Sequence, residues 1–393
     1  MTEGGKTGPL AGLTVIEMAG IGPVPLAGLI LSELGAEVIR VERLNAGIPF
    51  LPTPPEFDLD RHGRGVLEID LKRPEAIELL LRLIGKADIL VEGYRPGVME
   101  RLGLGPDITF ARNPGLIYGR MTGFGQDGPL AARAGHDLTY LAYSGVLHAI
   151  GPRDGKPVPP LNLAADYGGG TMFLLLGVLA ALFERQKSGK GQVVDAAMVE
   201  GASMLAAPFF AFLAAGFWKD RRGVNLLDTG APFYDTYQTE DGRHVAVACL
   251  EPQFFAEFAR LLPLEERFAA AQYDRRLWDD MRAAIAARIG ERTRDEWATL
   301  FEGTDACVAP VLSLEEAPNH PHNRARGTHR QAGTLVRPAP APRFSRTPAQ
   351  LSEPGGGRAD PAELLARFGI DKSDTEALVM SGVVGNKLTA PIR

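Results

Sequence analysis

The chain has 393 residues, 45% hydrophobic and 23% charged, with a formal net charge of -6. That length exceeds one ordinary core and predicts two or three domains, while the acidic balance argues against nucleic-acid binding, which runs on a basic excess. Its two cysteines, Cys249 and Cys307, are too few for a disulfide framework and read as core thiols of a cytoplasmic protein.

Met1 to Gly8 is polar and lacks the apolar core of a signal peptide. Leu13-Thr14-Val15-Ile16-Glu17-Met18 reads as a strand, Leu26 to Leu34 as a helix and Glu37 to Glu42 as a second strand, a βαβ unit that calls for a parallel sheet. The first turn, Gly20-Ile21-Gly22-Pro23-Val24-Pro25, has proline where the dinucleotide fingerprint needs its third glycine, which excludes NAD binding there. Pro74 opens a helix with Ile77, Leu80, Leu81 and Ile84 at i, i+3, i+4 and i+7, and Gly85 closes it. Asp88 to Glu92, Leu116 to Met121 and Gln192 to Met198 read as further strands, and the apolar Thr171 to Leu182 as a mostly buried helix. Residues 1–200 are therefore expected to form one large α/β domain.

Ala202 to Trp218 is uncharged and apolar but short for a membrane span, so residues 201–227 read as a buried linker helix and no span is expected. Phe233 to Thr239 and His244 to Ala248 flank Asp241-Gly242, a hairpin signal. Helices follow at Gln253 to Leu262, Arg275 to Ile289 and Thr293 to Phe301, the last opened by a Thr293/Glu296 capping box. Residues 228–318 make a smaller α+β domain. The prolines of Val336 to Pro348 and Gly355-Gly356-Gly357 mark an extended segment within 319–393, ended by short helices near Ala362 to Phe368 and Thr375 to Ser381.

Two stretches carry the chemistry: Gly135-His136-Asp137-Leu138-Thr139-Tyr140, and Asn162-Leu163-Ala164-Ala165-Asp166-Tyr167-Gly168-Gly169-Gly170. His136 and Asp166 can each take or give a proton near neutral pH. Backbone amides at Asp166 to Gly169, read as a strand-to-helix turn, are candidate donors to an oxyanion. A bare helix cap is the competing role for Asp166, and a solvated surface the competing role for His136. The other histidines show no metal-ligand spacing, and no metal is expected.

Several motifs in order resemble the class III CoA-transferase family, and within it the α-methylacyl-CoA racemase branch. They are Glu33 to Glu42, Asp70-Leu71-Lys72, Glu92-Gly93-Tyr94-Arg95-Pro96-Gly97, Gly123 to Pro129, the two stretches above, Gly191 to Asp195, Gly230 to Tyr234 and Glu251-Pro252-Gln253-Phe254, with weaker matches at Asp305 to Val311 and His320-Pro321-His322. The resemblance implies an interlocked homodimer, each chain with a large Rossmann-like domain and a small domain, and the C-terminal segment returning to the large domain. It also implies inversion at the α-carbon of 2-methylacyl-CoA thioesters by two-base 1,1-proton transfer, with His136 on one face and Asp166 on the other. Glu251, in the same chain or across the dimer, would accept a hydrogen bond from the second imidazole nitrogen. Coenzyme A, part of the substrate and not a cofactor, would lie against Arg40, Ile69, Asp70, Leu71, Lys72, Gly93, Tyr94, Arg95, Arg101, Gly135, His136, Asp137 and Tyr140. Arginine forks suit its phosphates; Arg40, read as ending a parallel strand where such sheets bind ligands, and Arg101, following the next such strand, rank first.

The nearest rival is CoA transfer, in which Asp166 attacks the thioester as a nucleophile and no second base is needed. His136, and Glu251-Pro252-Gln253 where many transferases carry a run of glycines, favour racemisation. A CoA-binding protein without turnover is the third reading.

Overall fold

The computed structural model describes residues 6–44, 53–353 and 360–385. The chain divides into two compact units, one holding the described residues within 1–144, 161–205 and 324–393, the other 145–160 and 206–323.

The first unit is built on six parallel strands: β1 Thr14–Met18, β2 Glu37–Arg43, β3 Gly65–Ile69, β4 Ile89–Glu92, β5 Ile117–Thr122 and β6 Gln192–Ala197. Their order is β3-β2-β1-β4-β5-β6. This is the doubly wound arrangement, whose direction of winding reverses between β1 and β4; ligands of such sheets bind outside the carboxyl ends of the strands at that point. Continuous apolar runs such as Val15-Ile16 and Ile89-Leu90-Val91 form strands buried on both faces, as parallel sheets require. The helix Pro74–Ile84 starts on proline at its first turn and buries Ala76, Leu79, Leu80, Leu83 and Ile84. Gly119 of β5 lets the helix Met172–Ser188 lie close on the sheet, since a β-carbon there would stand 2.9 Å from Leu174 Cδ1. β3 was not anticipated: its apolar residues are few and lie between Arg64 and Asp70.

The C-terminal residues return to this unit. The antiparallel hairpin β10 His329–Ala332 and β11 Leu335–Pro338, absent from the extended reading of 336–348, follows the second unit's three strands named below. Arg337 pairs with Glu33, and Gln350 N donates to Glu33 O. The helices Pro361–Ala366 and Lys372–Met380 bring Leu364, Leu365, Phe368, Val383 and Val384 into the core around Leu67, Ile69 and Leu80. The triple glycine at 355–357 lies outside the described residues.

The second unit holds an antiparallel sheet of β7 Tyr234–Gln238, β8 His244–Ala248 and β9 Val308–Pro310. Gly242, at φ 73°, supplies the left-handed residue of the hairpin turn. Phe233, Phe255, Phe258, Trp278 and Trp297 fill its core, and the Thr293/Glu296 capping box opens the helix Arg294–Phe301. Residues 145–160, assigned to the large domain from sequence, belong with this unit.

Two further expectations are corrected. Residues 202–218 do not form one buried helix: one helix ends at Leu205, Ala207-Pro208 starts another, Ala207–Ala214, and that second helix buries no residue within the chain. Cys249 is a core thiol, whereas Cys307 is exposed in a turn at φ 51°. Among the described residues one helical stretch, Leu163–Ser188, passes the length and composition test for crossing a membrane, but its Leu174, Leu175, Val178, Ala181 and Leu182 are buried in the protein.

Candidate active site

The first unit brings the loops after β1 and β4 together with the two chemistry-bearing stretches. The β1 loop runs through Gly20 and Gly22 into the helix Pro23–Glu33. Gly22, at φ 72°, closes against Asp166: a β-carbon there would come 3.2 Å from Asp166 Oδ2. Thr171 Oγ1 donates to Pro23 O at 2.8 Å and ties the helix start to the Asp166 segment. Gly93, after β4, packs on Val24: a β-carbon there would stand 3.0 Å from Val24 Cγ2, and the valine would have to shift.

His136 stands exposed just before the helix Asp137–Ser144. Thr139 Oγ1 accepts from His136 N at 3.0 Å, the reach-back half of a capping box, and Thr139 N donates to His136 O at 2.8 Å. The amides of Asp137 and Leu138, at the open end of this helix, donate to no acceptor among the described residues. Tyr140 fills space that only glycine leaves: β-carbons at Gly123 and Gly135 would fall 2.1 and 2.6 Å from its ring.

Asp166 sits half-buried in a π-helical turn, Leu163–Thr171. The segment is therefore not the strand-to-helix turn expected. Gly168, Gly169 and Gly170 lie five or more residues into the helical run, where amides find carbonyls of the same helix, and Asp166 N is already taken. The amides of Asp166 to Gly169 are thus not a free oxyanion cradle. The glycines serve packing instead: a β-carbon at Gly169 would lie 2.6 Å from Ala202 N, and one at Gly201 1.9 Å from Gly169 O.

The two stretches meet at the buried side chain of Asp137, whose Oδ1 accepts from Ala165 N and Asp166 N, both at 2.8 Å. Burial raises the pKa of Asp166; Asn162, donating at 3.3 Å, and nearby His136 oppose the shift, and Asp137 adds to it. Burial, with Asp166 alongside, pushes Tyr140 up to about 12, and the charge of Arg95 pulls the other way. His136, Asp137, Asp166, Tyr140 and Arg95 are therefore within electrostatic reach of one another or of a shared neighbour.

Of the residues expected around coenzyme A, Arg95, Arg101 and Lys72 are exposed, and Gly93 and Tyr94 lie on the β4 loop. Arg40 is corrected. It lies within β2 rather than at its end, 5% exposed, with its guanidinium on Glu17 and on Glu42 at 2.9 Å. Arg64 completes this cluster, 2.9 Å from Glu17, and also donates to Pro25 O. Ile69 is wholly buried in the core and Leu71 packs against it, while Asp70 Oδ1 accepts from Lys72 N at 3.1 Å.

Glu92 was passed over as a strand end, although a carboxylate closing the run Ile89-Leu90-Val91 was the signal. Its Oε2 accepts from Tyr94 N at 2.6 Å and its Oε1 from Arg120 at 2.9 Å, so it shapes the loop before Arg95. Burial pushes it up to about 7 despite both partners.

In the second unit, Glu251 is exposed before the helix Pro252–Leu261 without capping it. Its charge raises the pKa values of Tyr273 and Cys307, each after burial.

The sequence pattern of CoA-transferase family III matches residues 10–359. The chain belongs to that family. It is 44% identical over 390 residues to the α-methylacyl-CoA racemase of Mus musculus, covering 97% of this chain and 99% of the mouse protein. The Homo sapiens α-methylacyl-CoA racemase is 41% identical, covering 98% and 100%. The α subunit of succinyl-CoA:L-malate CoA-transferase from Chloroflexus aurantiacus is 31% identical, with 88% and 85% covered. Among solved structures, a CaiB/BaiF family protein from Brucella suis superposes with a TM-score of 0.78 at 27% identity, over 92% of this chain and all of the other.

Proposed function

We propose that this protein is an isomerase that inverts the α-carbon of 2-methylacyl-CoA thioesters by proton transfer through an enolate. Full-length identity of 44% to a racemase, against 31% to a transferase subunit, is the observation that carries this reading.

The reaction needs two acid/base groups on opposite faces of one carbon, one unprotonated and one protonated. His136 and Asp166 take these places. For one stereoisomer His136 removes the α-proton, the electron pair moves onto the thioester oxygen as an enolate, and protonated Asp166 returns a proton to the other face; for the other isomer the roles swap. The raised pKa of Asp166 supports its carrying a proton nearer neutrality than a free carboxyl does. The open amides of Asp137 and Leu138 are the donors assigned to the enolate oxygen, at a helix N-terminus where the dipole favours negative charge. Exposed Arg95 and Arg101 take the CoA phosphates ahead of Arg40, with Lys72, Tyr94 and the glycines at 93 and 135 along the path.

The working form is taken to be a homodimer. Exposed apolar side chains, Leu176 and Phe183 in one unit and Phe210 and Phe217 in the other, support this reading. A cytoplasmic location is part of the same proposal.

Incubation of the purified protein with a 2-methylacyl-CoA in deuterated water tests the chemistry. Deuterium entering the α-position with no acceptor acid present is the expected result. Label that enters only after a free carboxylic acid is added, with CoA moving to that acid, would establish transferase chemistry instead.

A further inference from the structure

We infer that the side chain of Asp137 is a positioning residue, which fixes Asp166 against His136 by gripping the Ala165 and Asp166 amides while its own amide stays free at the helix start. The inference rests on the two-base reading above. Asp137 is 6% exposed, too buried for its side chain to meet a CoA phosphate. One oxygen takes both amides at 2.8 Å, and the other is buried with no hydrogen-bond partner among the described residues. Leaving a buried charged oxygen unpartnered is unfavourable. If holding two amides were all that was needed, a neutral acceptor would do so without that penalty. What the charge adds is a negative neighbour for Asp166, which strengthens Asp166's hold on its proton.

Asp137 thus does two things for one partner. It sets where the Asp166 backbone sits, and its charge sets how tightly Asp166 binds a proton. The groups facing Asp166 are His136 and Asp137 from the first stretch, Asn162 on its own segment, Tyr140 with Arg95 beyond it, and the start of the helix after Gly22. Among these Asp137 alone both bonds the Asp166 backbone and bears a charge of the same sign.

Two variants separate the roles, read by α-deuterium exchange and by backbone hydrogen exchange of the segment 161–168. Asp137→Asn keeps the acceptor and loses the charge. It should lower kcat far less than Asp137→Ala does and keep the segment protected. With the stereoisomer whose α-proton Asp166 removes, the acid limb of kcat/KM should move to lower pH, because Asp166 loses the neighbour that raised its pKa. Asp137→Ala should lower kcat about 100-fold with KM changed less than about threefold, and should unprotect Ala165 and Asp166. An unmoved acid limb in Asp137→Asn, or an Asp137→Ala variant whose loss appears in KM with the segment still protected, overturns the inference. Should Asp137→Ala not fold, the Asp137→Asn limb and protection decide alone. Absence of exchange in the unsubstituted protein would instead overturn the functional reading, and the hydrogen-exchange comparison would still test whether Asp137 holds the segment.

Discussion

Two buried charge clusters in the same unit answer the cost of burial in opposite ways. Glu17, Arg40, Arg64 and Glu42 alternate in sign, so each charge has an opposite one beside it, and Arg64 also donates to Pro25 O and Leu59 O. Asp137 and Asp166 share a sign, sit beside a histidine, and are held by amides and an asparagine, with one carboxylate oxygen left over. The first arrangement offers no group free to move a proton. The second sets a half-buried carboxyl, Asp166, whose pKa burial raises, near an exposed imidazole and with no arginine paired to it among the described residues, an arrangement in which a proton can be given or taken.

Substitutions in the two clusters should therefore split between chemistry and stability. The largest effect is expected at Asp166→Asn, which should lower α-deuterium exchange about 100- to 10,000-fold while leaving the urea midpoint close to that of the unsubstituted protein. Glu17→Ala comes next. It leaves buried Arg64 without its carboxylate and Arg40 with Glu42, and should cost about 3 to 5 kcal/mol in urea unfolding, with exchange per folded molecule changed far less. Arg40→Ala, which leaves Glu17 facing Arg64 alone, should follow the same pattern rather than act on CoA binding only.

Smaller effects lie on the β4 loop. Arg95→Ala removes an exposed cation and should raise KM for acyl-CoA about tenfold with kcat little changed, an effect that weakens at high salt. The folded pKa of Glu92, about 7, lies above the ordinary value of 4.5. Stability from its protonated form is therefore fully present below about pH 4.5 and is lost as pH rises through about 7. Glu92→Gln should flatten that decline by on the order of 1 kcal/mol, read from urea midpoints at pH 5 and pH 8.

Much of the large unit was legible because its strands are continuous apolar runs and its helix at Pro74–Ile84 opens on proline and repeats its apolar residues at helical spacing, signals that need no partner to be read. β3 escaped because Arg64 and Asp70 bound it so closely, and its place at the sheet edge comes from pairing with β2. The Ala207–Ala214 helix escaped because apolar composition does not say whether a face is covered by the same chain. Arg40 looked like a phosphate ligand at a strand end; that Glu17, 23 residues earlier, would claim it depends on parallel pairing of β1 with β2, which sets Glu17 opposite Arg40.

By itself the sequence determined which residue types could move a proton, His136 and Asp166, and which patterns must become strand or helix. Only the tertiary structure decided that Asp137 would join the two stretches, that the glycines after Asp166 would serve helix packing rather than anion binding, and which arginines would stay exposed. Periodicity and residue chemistry are local properties of the chain, whereas burial and the sign of a neighbouring charge exist only once distant segments have packed together.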